Sequence, residues 1–148
     1  MNNKIKPMIY QSERKIELLC KRKYKDYNYY ILNLGTHPTA YIEIPEGNKL
    51  YGKDYNEIYD MEYDIDVHGG LTYSDDKLMG VKSKSCFIGW DYAHAFDYMG
   101  YYEDFNKRGI YTRTDLNGLK KWTTEEIIKE CEHAIDQIID ILKEDKWK

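Results

Sequence analysis

Two short blocks concentrate the residues able to do chemistry. The first is Asp66-Val67-His68-Gly69-Gly70-Leu71-Thr72-Tyr73 and the second is Gly89-Trp90-Asp91-Tyr92-Ala93-His94-Ala95-Phe96-Asp97. Each sets a histidine within a few residues of an aspartate, among glycines or small residues. On a strand, Asp66 and His68 point the same way. Asp91 and His94 are three apart and share a face if that stretch is a helical turn. Three chemistries fit such blocks. His68, Asp91 and His94 could ligate a divalent metal, which needs three or four donors converging at about 2.0–2.2 Å. The His and Asp side chains could hydrogen-bond a polar ligand that the Gly69-Gly70 backbone approaches closely. His68 and Asp66 could instead form an acid–base pair, since a carboxylate orients an imidazole and tunes it. The bland alternative is that Asp91 caps a helix and the histidines hold loops. The reading favoured among the functional ones is a polar-ligand site without a cofactor, lined by Asp66, His68, Thr72, Asp91, His94 and Asp97. Tyr73, Trp90 and Tyr92 are its stacking candidates. Arg108 and Arg113, set among Tyr101, Tyr102, Phe105 and Tyr111, add the pairing of guanidinium and aromatic face that grips a phosphate and stacks a base.

Other motifs fall away. His37-Pro38-Thr39 is a His-x-Thr triplet, but it occurs once, whereas two-histidine phosphoesterases carry it twice. Gly52-Lys53-Asp54 lacks the upstream glycine and following Ser or Thr of a P-loop. There is no Gly-x-Ser-x-Gly elbow. Cys20, Cys86 and Cys131 are widely spaced and odd in number, so reduced thiols are expected rather than a zinc knuckle or a dithiol. The 148 residues hold 22 Lys plus Arg against 26 Asp plus Glu, a net charge of −4. With no basic run, that balance argues against a dedicated DNA or RNA binder. Lys21, Arg22, Lys23 and Lys25 read as a solvated strand edge. No apolar stretch follows the lysines of residues 1–6, and the stretch 27–42, free of charged side chains, is too short and polar to span a bilayer. A cytoplasmic protein with no membrane association is expected.

The elements that must position the blocks can be read next. Residues 15–20, 24–34, 41–44 and 86–90 are apolar or tyrosine-rich runs suited to strands. Residues 63–68 alternate: Tyr63, Ile65 and Val67 on one face, Asp64, Asp66 and His68 on the other, which predicts a strand that continues through 71–73 past a glycine bulge. Residues 91–97 suit one helical turn capped by Asp91, and 99–117 an irregular connection. Thr123-Thr124-Glu125-Glu126 has capping-box spacing. Ile127, Cys131, Ala134, Ile138 and Leu142 recur behind it at helical spacing, predicting a helix from about 124 to 143. The whole reads as one domain over 1–148 with a loose arm over 1–12. Its class is α+β, a mainly antiparallel sheet with one long C-terminal helix packed on one face. Tyrosine is the compositional outlier, at 16 residues against 3 Phe and 3 Trp.

The run Tyr41-Ile42-Glu43-Ile44-Pro45-Glu46-Gly47, the loop Leu50-Tyr51-Gly52-Lys53-Asp54-Tyr55, the two histidine blocks and the helix carrying Glu130-Cys131 together resemble a family of small phage and prophage accessory proteins. The likeness covers about half the chain. It departs at Gly47-Asn48-Lys49, where that family has Gly-His-Pro. The resemblance implies a bacterial host cell and a role against host defence. The expectation that follows is a protein that binds and sequesters a small nucleotide-derived signal, with the residues above as its site and homo-oligomerisation left open. The alternatives are a small phosphodiesterase using His68 and His94, and a protein–protein inhibitor of a host factor.

Overall fold

The computed structural model describes residues 16–78, 80–99 and 118–145. The arm expected over 1–12 and the connection that holds Arg108 and Arg113 lie outside these residues. The chain begins with a hairpin, β1 (Glu17–Tyr24) and β2 (Tyr27–Asn33), closed by Lys25 and Asp26. Both turn residues have positive φ, 46° and 70°, the two-residue geometry that matches strand twist. β3 (Pro38–Ile44) follows, its proline placed first, where a missing N–H costs a ladder least. After a short helix α1 (Tyr55–Asp60) come β4 (Tyr73–Asp75), β5 (Cys86–Asp91) and the long helix α2 (Thr124–Asp145). The five strands form one antiparallel sheet in the order β1-β2-β3-β5-β4.

Strand alternation gives the sheet two faces. One carries Leu19, Tyr29, Ile31, Ala40, Ile42, Ile44, Ile88 and Trp90. Against it α2 packs Ile127, Ile128, Cys131, Ala134, Ile135 and Ile138. Each buried isoleucine contributes about 1.5–3 kcal/mol, so this layer fixes the helix. The other face carries a smaller cluster of Tyr30, Leu32, Tyr41 and Phe87 under Leu78. The α+β architecture is therefore the expected one. The capping box forms as its spacing predicts: Glu126 N donates to Thr123 Oγ1 (3.2 Å) and Thr123 N to Glu126 Oε1 (3.0 Å). The three cysteines are free thiols, and burial pushes those of Cys20 and Cys131 up from their ordinary range. No helix among the described residues is long and apolar enough to cross a membrane.

Three local expectations are corrected. Residues 63–68 are extended and keep the alternation, with Tyr63, Ile65 and Val67 buried, but they join no strand ladder. Side chains of α2 take the backbone of Asp66 and His68. Asp66 N donates to Gln137 Oε1 (2.7 Å), Gln137 Nε2 donates to Asp66 O (2.9 Å), and His68 N donates to Glu130 Oε1 (3.3 Å). Residues 91–97 are not a helical turn. Asp91 Oδ1 accepts from Ala93 N (3.1 Å) in an Asx turn, and Asp97 N donates to His94 O (3.0 Å) to close a β-turn. Finally, α1 begins inside the stretch that Pro45, Gly47 and Gly52 mark in the sequence as a long, turn-rich loop through Asn56. Its signal was the Asp54-x-x-Glu57 box: Asp54 accepts from Asn56 N, and Asp54 N donates to Glu57 Oε1 (3.2 Å).

Candidate functional site

The two histidine blocks converge at the end of β5. The first reaches it by the extended segment 63–68 along α2. The second leaves β5 at Asp91 and turns at once, with Tyr92 N donating to Pro38 O (3.1 Å). Their centre is Asp97, a side chain only 3% exposed. Its Oδ2 accepts from His68 Nε2 (2.7 Å) and from His94 N (3.0 Å), and its Oδ1 accepts from Trp122 Nε1 (2.8 Å). A buried carboxylate needs such donors to offset desolvation. The pairing also fixes the imidazole. With Nε2 donating to Asp97, Nδ1 is left as the atom that can exchange a proton or meet a ligand. Nδ1 has no partner among the described residues, and the His68 side chain is 24% exposed.

Aromatic packing holds His68 in place. Its ring stacks on Tyr92 at 5.0 Å with 6° between planes, and it meets Trp122 at 4.8 Å and His94 edge-on at 5.3 Å. His94 Nε2 lies 3.2 Å from Asp91 Oδ1, an ion-pair distance without hydrogen-bond alignment. Gly69 covers the same nitrogen: a Cβ at that position would sit 2.1 Å from His94 Nε2. Gly69 also has φ +69°, so both space and conformation call for glycine. Thr72 Oγ1 donates to Asp91 Oδ2 (3.2 Å). Gly70 N donates to Val67 O (2.9 Å) and Leu71 N to Tyr59 OH (2.7 Å), which closes the glycine turn. The result is a rim of His68, Gly69, Thr72, Asp91 and His94 built over the buried Asp97.

Several expected site residues stand elsewhere. Trp90 and Tyr92 are 1% and 0% exposed, so neither ring is open to stack a ligand. They form part of the support beneath the rim: both Trp90 Nε1 (3.1 Å) and Tyr92 OH donate to Glu130 Oε1, the oxygen that also takes His68 N. Burial, then the Glu130 hydrogen bond, pushes the Tyr92 phenol far above its ordinary range. Tyr73 packs edge-on against Tyr41 at 5.0 Å on the sheet face away from α2. The Asp66 side chain is exposed, and the residue is held through its backbone by Gln137. Asp97 lies under the rim rather than on it. Arg108 and Arg113 lie outside the described residues. Among the described residues no three His, Cys, Asp or Glu side chains converge as metal ligands. His68, Asp91 and His94 form no such group.

Sequence reasoning missed Trp122 and Glu130. Glu130 carried a signal, since it sits at i+3 from Ile127 and i−4 from Ala134, a carboxylate on the apolar stripe of α2. Trp122 had only its place directly before the capping box. Comparison with protein-family models, curated proteins and solved structures finds no match.

Proposed function

We propose that the protein binds a small nucleotide-derived anion at the His68–His94 rim and sequesters it, in the setting of a phage or prophage accessory protein that counters a host nucleotide signal. The observation that carries this reading is the His68–Asp97 pair: a buried carboxylate with three donors holds one partly exposed imidazole in one orientation. Preorganisation of that kind lowers the cost of binding, because the side chain is ordered before the ligand arrives. His68 Nδ1 and the exposed Thr72 supply the polar contacts, with the His94 ring edge-on beside them. Lys120 makes an isolated bridge beside Asp97, where Tyr98 N donates to Lys120 O (2.9 Å), and its Nζ pairs with Glu126 Oε2 (2.8 Å).

A specific observation favours a second reading, phosphodiester hydrolysis. Two imidazoles 5.3 Å apart, each beside its own aspartate, are the parts of an acid–base pair. One experiment separates the two. The protein is incubated with a panel of cyclic and linear nucleotides, freed of unbound ligand, heated to unfold it, and the released material is chromatographed. Intact nucleotide supports sequestration, and cleaved nucleotide supports hydrolysis. His68→Ala and His94→Ala should each abolish the effect. If no nucleotide is retained or altered, both readings fall and inhibition of a host protein takes their place.

A further inference from the structure

Phe96 is the one described residue beside the rim whose type neither burial nor backbone conformation explains. Its ring is 78% exposed, so packing does not account for an aromatic side chain there. Its φ is +72°, a region that a bulky side chain rarely enters and that glycine or asparagine enters easily. The conformation is imposed from three sides. Asp97 N donates to His94 O (3.0 Å), Lys120 N donates to Phe96 O (2.8 Å), and the Asp97 carboxylate caps His94 N (3.0 Å). The turn 94–97 must adopt this shape to bring Asp97 under His68. A glycine at 96 would give that shape without strain. A phenylalanine gives the same shape and adds an exposed ring two residues from His94. Backbone strain that packing does not require clusters at ligand clamps and active sites.

We propose that Phe96 is a ligand-binding residue, the aromatic platform on which the planar base of a nucleotide-type ligand stacks while its anionic part meets the imidazoles. This assignment rests on the nucleotide reading above. It gives the rim the stacking surface that Trp90 and Tyr92, both buried, do not provide. Base–aromatic stacking tolerates any base, because each has a π face. Phe96 therefore sets the class of ligand, a phosphate carrying a flat unsaturated ring, rather than one particular base.

The test uses the full chain and the variants Phe96→Gly, Phe96→Leu and Phe96→Trp. Calorimetric titrations use AMP and cyclic AMP as ring-bearing probes and ribose 5-phosphate as a probe without the ring. Phe96→Gly and Phe96→Leu should weaken the adenine nucleotides at least tenfold and leave ribose 5-phosphate within about twofold, while Phe96→Trp keeps the wild-type affinity. Equal binding of AMP and cyclic AMP by wild type and Phe96→Gly would overturn the platform and leave the nucleotide reading standing. Binding of no probe to the wild type would overturn both. A ligand-free measurement adds a second arm. Phe96→Gly should raise the melting temperature by about 3 °C, because the positive φ no longer carries a side chain. A lower melting temperature would show that the ring serves the fold, and would overturn the proposal.

Discussion

At the scale of single residues, the candidate site is a matter of which nitrogen is committed and what lies against it. His68 gives Nε2 to Asp97 and keeps Nδ1. His94 has its Nε2 sealed under Gly69 and beside Asp91. Gly69 is thus as much a part of the rim as either ring. Gly69→Ala would place a methyl 2.1 Å from His94 Nε2 at φ +69°. The cost should be about 2–4 kcal/mol, a positive-φ penalty plus displacement of the ring. Gly47→Ala is the matched control: its φ is +87°, but nothing lies within 4 Å. That variant should lose only about 1 kcal/mol, the conformational share. Urea midpoints of the two variants measure the difference. Equal losses would mean that the His94 contact carries no energy. The pairing of His68 with Asp97 was invisible in sequence, since the nearest aspartate, Asp66, was the expected partner. A separation of 29 residues is bridged only once the turn at 94–97 forms.

At the scale of elements, periodicity was a good guide to burial and a poor guide to hydrogen bonding. Residues 63–68 alternate as a strand does, and each expected apolar residue is inside. Yet the pattern reports only that successive side chains face opposite ways, which any extended chain satisfies. What the backbone bonds to depends on a helix 62 to 71 residues away in sequence. The hairpin turn Lys25-Asp26 falls inside the run 24–34 that reads as one strand, because it adopts positive φ without the Asn-Gly pair that usually announces such a turn. The long helix was legible from its cap and its stripe, because both are local. The grip of α2 on 63–68 carries an expectation of its own. The Asp66 and His68 amides donate to Gln137 and Glu130, so opening them requires the helix to leave. In native-state hydrogen exchange they should therefore be protected to the same extent as amides in the middle of α2. Exchange as fast as that of the exposed Asp75–Asp76 stretch would show that the segment opens alone.

At the scale of the whole molecule, four of the 16 tyrosines turn their phenols onto carboxylates. Tyr29 donates to Glu132 (2.9 Å), Tyr30 to Glu43, Tyr92 to Glu130 and Tyr24 to Asp136 (3.2 Å). Tyr29, Tyr30 and Tyr92 are at most 2% exposed, and burial, then the carboxylate partner, pushes each phenol far above its usual value. A raised folded value means that the folded state holds the proton more tightly than the unfolded chain. The stability this gives is whole below about pH 10, the ordinary phenol range, and is lost as the pH climbs above it. Each phenol then removes up to about 1.4 kcal/mol per pH unit. Urea midpoints should be flat from pH 7 to 9 and fall steeply above 10, with tyrosinate absorbance appearing only as the chain unfolds. Tyrosinate from these three phenols in a still-folded protein would contradict the assignment. One last feature bears on how the rim is held. Tyr98 N donates to Lys120 O and Lys120 N donates to Phe96 O, so the residues on both sides of the buried Asp97 are tied to the stretch that leads into α2. The turn over that carboxylate and the start of the long helix therefore cannot part without breaking both bonds.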